Sequence, residues 1–169
     1  MKTRCLAAAL AVLAACGPAE ENAVRAVRRY NAALIEAYRA GDARLVERFA
    51  GPREAKKLLG LIGAKLDMGL TLDAELVELV PLRIERHRDG ARVWTRERWR
   101  YADRRVGSGR PVGDASEDQY QMIYTVGFEN GRWVVEEVRF AERPLVGRGR
   151  VSNSARAEAF HGSTTEEPQ

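Results

Sequence analysis

The chain has 169 residues, a formal charge of +4 and two cysteines, Cys5 and Cys16. That length fits one ordinary domain with a real core. A charge this close to balance does not argue for nucleic acid as a partner.

The first 15 residues read as a secretory signal. Lys2 and Arg4 form a positive start, and Cys5 to Ala15 is an uncharged apolar run followed by small residues. A membrane-spanning helix needs about 20 apolar residues, so this run is too short to be a permanent span. Leu13-Ala14-Ala15-Cys16, followed by Gly17, resembles the lipobox of bacterial lipoproteins. The resemblance implies a diacylglyceryl thioether on Cys16, cleavage before it, and acylation (palmitate) of the freed amine. The alternative is an ordinary signal peptide in which Cys16 is incidental. On the lipoprotein reading the domain is held on the extracytoplasmic side of the cell membrane or outer membrane. Cys5 leaves with the signal and Cys16 carries lipid, so the rest has no thiol for a disulfide or a metal.

Residues 16–20 then read as the lipidated cysteine and a short tether, 21–141 as one α+β domain, and 142–169 as a mostly disordered tail rich in Gly, Arg, Ser and Glu. Val24, Val27, Tyr30, Leu34 and Tyr38 recur at helical spacing over 21–40. Gly41 stops that helix, and Asp42 caps a short second one carrying Leu45, Val46 and Phe49. Gly51-Pro52 opens a third, with Ala55, Leu58, Leu59, Ile62 and Leu66 as its buried stripe.

From Thr71 the period changes to two. Asp89-Gly90 predicts a two-residue hairpin turn that sets Arg88 against Ala91, Val80 against Trp99, Leu82 against Glu97 and Ile84 against Thr95. Pro81 suits an edge strand or a bulge. Residues 106–117 read as a Gly/Ser/Pro-rich loop. A second hairpin turns at Asn130-Gly131 and pairs Phe128 with Trp133, Val126 with Val135 and Tyr124 with Glu137. A bulge at Glu136-Glu137 would return Val138 and Phe140 to the core face.

Three helices followed by two long hairpins resemble the nuclear transport factor 2-like superfamily. The likeness is carried by Tyr30 to Phe49 (YNAALIEAYRAGDARLVERF) and Tyr120 to Phe140 (YQMIYTVGFENGRWVVEEVRF). It implies helices packed on a strongly curved antiparallel sheet, a cone whose open end holds a ligand or meets a partner. Members include cyclases, isomerases, adaptors and non-catalytic envelope domains, so activity has to be argued from the site.

Glu97 is the candidate for chemistry. An inward carboxylate between Thr95 and Trp99 would act as a base or hold a polar ligand group. Its other reading is a paired glutamate, at the wet mouth of the cone or against a helix arginine such as Arg28. Trp99, Tyr120, Tyr124 and Tyr38, with Tyr30 and Tyr101, would line an amphipathic pocket or simply fill the core. His87 and His161 have no partner at metal or catalytic spacing, and no motif asks for a cofactor. Arg83, Arg96, Arg98 and Arg100 share an outer hairpin face, which would meet anionic headgroups or an acidic partner, or stay solvated. Ser108 and Ser116 lack a G-x-S-x-G context, and Gly107-Ser108-Gly109-Arg110 is not a phosphate loop. The expectation is a lipid-anchored binding or protein-interaction domain, with another envelope protein as partner. The alternatives are a binder of a small amphipathic molecule, or a cyclase- or isomerase-like enzyme using Glu97.

Overall fold

The computed structural model describes residues 18–141. The expected signal, the Cys16 anchor, the tail and His161 lie outside them. Helix α1 spans Pro18–Ala40, starting three residues earlier than the apolar spacing predicts. Pro18 suits a first turn, where its missing N–H has no partner to lose, and Glu20 and Glu21 face the positive end of the helix dipole. Ala23, Val27, Tyr30, Leu34 and Ala37 form the buried stripe. Gly41, at φ +67°, ends the helix in the left-handed region.

The expected second helix is a single 3-10 turn, Ala43–Val46, so the domain has two α-helices and not three. Asp42 caps it as predicted, its carboxylate accepting the Arg44 N–H at 3.0 Å. The turn is tight because Leu45 and Glu47 donate to carbonyls three residues back. Helix α2, Pro52–Asp67, buries Glu54, Leu58 and Ile62. Leu59 and Leu66, expected in that stripe, are 61% and 39% exposed.

Four strands follow: β1 Leu70–His87, β2 Gly90–Arg105, β3 Pro111–Glu129 and β4 Arg132–Phe140. Each pairs antiparallel with its neighbour in sequence, in the order β1-β2-β3-β4. The expected loop over 106–117 is shorter, because residues 111–117 belong to β3. Their irregular composition is absorbed by a register shift between Tyr101 and Asp103 and by Gly113 at φ +75°.

The first hairpin is offset from its expected register. His87 pairs with Gly90, so Arg88-Asp89 is the turn. Gly90 is inside the strand because the β3 backbone crowds it: a Cβ there would sit 2.2 Å from the Val126 carbonyl oxygen. Bulges after Leu76 and Pro81 move the register again. Glu97 therefore faces Leu79 and not Leu82, Trp99 faces Leu76 and not Val80, and Thr95 faces Pro81 and not Ile84. Leu82, squeezed out by its bulge, is 45% exposed. Pro81 lies next to a bulge on an edge strand, where its missing N–H costs no ladder bond.

The second hairpin keeps its predicted register near the turn, Phe128 against Trp133 and Val126 against Val135. Asn130 (φ 49°) and Gly131 (φ 78°) supply the two left-handed residues such a turn needs. The bulge falls at Glu136, so Tyr124 faces Val138 instead of Glu137 and Phe140 faces Met122.

Helix α2 and the chain before it also seal the free side of β4. Val135 bonds Phe49 O and Gly51 N at 2.9 and 2.8 Å. At Val138 the side chains take over: Glu54 accepts its N–H at 3.2 Å and Lys57 donates to its carbonyl at 3.0 Å.

Candidate functional site

Alternation along β2 turns Ala91, Val93, Thr95, Glu97 and Trp99 to the helix-covered face of the sheet, where all five are buried. A carboxylate in the middle of such a row has to find donors. Glu97 is 1% exposed and has three. Thr95 Oγ1 and the Tyr124 hydroxyl donate to Oε1 at 2.7 Å each, and Trp99 Nε1 donates to Oε2 at 2.8 Å. Asn31 of α1 donates to the Tyr124 oxygen at 3.0 Å, which ties the helix to the network. Every donor is neutral, and no arginine pairs with Glu97 among the described residues. Burial, and then the charge of Glu97, hold the Tyr124 hydroxyl well above its ordinary pKa, so it remains a donor.

A second buried carboxylate, Glu54, accepts from the Tyr30 hydroxyl at 2.7 Å and pairs with Lys57 at 2.7 Å. The Tyr30 and Tyr124 rings meet edge to face at 6.2 Å. Burial, and then Glu54, raise the Tyr30 pKa well above its ordinary value. Tyr38 is different. It is 7% exposed, yet its hydroxyl has no hydrogen-bond partner among the described residues. Beyond Glu97 the same face opens to solvent through a half-buried group, in which Tyr101 and Tyr120 both hydrogen-bond Asp118 and each other. Tyr120 also packs edge-on against Phe140 at 5.4 Å.

The fold thus gathers Glu97, Trp99 and Tyr124 into one network, places Tyr120 across the ladder from Glu97 in the more open group, and leaves Tyr38 apart. Sequence reading missed Asn31, Glu54 and Asp118. Spacing carried a signal for two of them: Asn31 falls between Val27 and Leu34 on the buried side of α1, and Glu54 is one turn before Leu58 in α2. Asp118 faces Trp99 across the ladder and gave no such signal.

His87 is exposed at the end of β1. No group of His, Cys, Asp and Glu side chains able to hold a metal occurs among the described residues. Two surface grooves, of about 320 and 500 Å³, flank the start of α2 and do not include Glu97 in their lining. On the face of the sheet away from the helices Arg83, Arg96, Arg98 and Arg100 line up with Trp94, as expected. Arg98 bridges Glu117 at 2.9 Å, Arg100 bridges Glu117 and Glu75 at 3.1 and 3.3 Å, and Arg83 pairs with Glu85. That stripe is largely neutralised within the sheet.

No family model matches the sequence, and no curated protein matches it. Among solved structures, the chain is similar to the intermembrane-space region of the chloroplast protein ARC6. That match has 14% identity and a TM-score of 0.63, covering 71% of this chain and 94% of that one. It is also similar to a nuclear transport factor 2-like superfamily protein from Salmonella enterica serovar Typhimurium. Identity there is 11% and the TM-score 0.51, with 78% and 99% of the two chains covered. The domain has the nuclear transport factor 2-like fold. Identities this low carry the path of the backbone and not the chemistry of a site.

Proposed function

We propose that this chain is an envelope lipoprotein, exported under its first 15 residues and held on a membrane through lipid on Cys16, whose domain works by binding another envelope protein. One observation carries the non-catalytic part of the reading. The carboxylate best placed for chemistry, Glu97, is enclosed, and both of its oxygens already accept from Thr95, Tyr124 and Trp99. A general base needs an oxygen within reach of a substrate proton, and this one would first have to give up bonds that hold the core. The test is mass spectrometry of the N-terminal peptide of the native protein, together with crosslinking on intact cells. A diacylglyceryl Cys16 and a specific crosslinked envelope protein are expected. An unmodified thiol at Cys16 overturns the anchor, and no specific partner overturns the docking role.

A second reading, a small amphipathic ligand bound inside the cone, is favoured by the buried and unpartnered hydroxyl of Tyr38. Such a hydroxyl is costly in an empty site and useful in a filled one.

A further inference from the structure

The first half of α1 carries a cationic face that the fold does not use. Arg25, Arg28 and Arg29 stand three and four residues apart on the side of the helix opposite Ala26, Val27 and Tyr30, and all three are exposed. None of them has an ion pair among the described residues. Other arginines are held by carboxylates: Arg39 on the same helix is tied to Glu36 and Asp73, and Arg83, Arg98 and Arg100 on the sheet are tied to glutamates. Glu21, one turn before Arg25, is the unpaired acidic group on this face, so a net positive charge remains.

Position adds to charge. Arg25 to Arg29 lie roughly 10 to 17 Å along the helix from Pro18. Cys16 is two residues before Pro18, at most about 7 Å of chain. Resting on the reading of Cys16 as a lipid anchor, we propose that this face of α1 is a bilayer-contact surface that takes the phosphate groups of anionic lipids. The anchor fixes the start of the helix at the membrane, and a guanidinium fork matches a phosphate with two parallel hydrogen bonds. The helix then lies along the bilayer with the sheet on its far side. The acyl chains supply tenacity and the arginines supply orientation.

The experiment separates this surface from the anchor. A chain beginning at residue 17 keeps every described residue and the whole core, and carries no lipid. It is floated with vesicles of phosphatidylcholine alone and with vesicles that also contain phosphatidylglycerol, at low and high salt. Binding to the anionic vesicles alone, lost at high salt, is expected. An arginine near an anionic surface is worth roughly fivefold in affinity, so R25Q/R28Q/R29Q should bind on the order of a hundredfold more weakly. R83Q/R98Q/R100Q, which alters the paired stripe on the sheet, should bind nearly as the parent does, and circular dichroism should show all three chains folded. The surface is refuted if the parent ignores anionic vesicles, if the α1 variant binds as the parent does, or if the sheet variant loses as much. A bare Cys16 in the native protein, with these vesicle results intact, would remove the anchor and leave the surface standing.

Discussion

The two buried polar side chains that matter most should respond to mutation in opposite directions. Glu97→Ala strands the Thr95, Trp99 and Tyr124 donors in a dry interior, which costs about 2 to 4 kcal/mol. Tyr38→Phe removes a hydroxyl that bonds nothing among the described residues, so it should be neutral or stabilising by up to about 1 kcal/mol. Urea denaturation of both variants checks this, and equal losses would refute the network as described. A ligand whose thermal shift shrinks in Tyr38→Phe would favour the ligand reading; a shift unchanged there would remove Tyr38 from it. The inward direction of Glu97 was legible because a strand alternates its side chains. Its partners were only partly legible. Thr95 and Trp99 are neighbours on the same strand, but Asn31 joins the network through Tyr124, 93 residues away in sequence. No local pattern specifies a contact made by folding a helix across a sheet.

At the level of elements, glycines divide by what surrounds them. Gly60 and Gly63 sit within α2, and a Cβ added at either would meet nothing within 4 Å. Gly60→Ala and Gly63→Ala should therefore each stabilise by about 0.5 to 1 kcal/mol through lower backbone entropy. Gly90→Ala should destabilise by about 2 to 3 kcal/mol, since the added carbon meets the backbone of β3, which cannot rotate away. Thermal denaturation of the three variants decides it, and a stabilised Gly90→Ala would contradict the close approach of β2 and β3. The same glycine explains why one hairpin was readable and the other was not. Asn130-Gly131 turns for a local reason, two adjacent residues that accept positive φ. Asp89-Gly90 carries the same local signal, but Gly90 is required by a third strand, and the turn moves back by one residue. The bulge at Glu136 was readable because two adjacent glutamates interrupt an apolar alternation. Those in β1 were not, since Val77 and Leu82 fit an apolar pattern in either register. The short helix failed for want of length: one turn between Asp42 and Gly51 closes more tightly with bonds to the third residue back.

Across the whole molecule, all five tyrosines have pKa values raised above the ordinary 10, with burial the leading cause in each. The unfolded chain releases these protons near pH 10 and the folded one only at higher pH, so the unfolded state holds fewer protons in that window. The resulting stability is present in full below about pH 10 and is lost as pH rises toward the folded values. Phenolate absorbance and circular dichroism, followed together from about pH 9 to 12, should change in one step. A large phenolate signal from a chain that is still folded would contradict the enclosed tyrosines. The sealing of β4 has a consequence of another kind. With Val135 and Val138 already bonded to the chain around α2, the outer side of β4 is closed at those residues, while β1 and the first part of β3, which β4 does not reach, lack a neighbouring strand among the described residues. Two molecules meeting through β1 would cover that edge of each. Strand addition to the intact domain is therefore turned away from the sealed stretch of β4 and directed to β1 or to the start of β3.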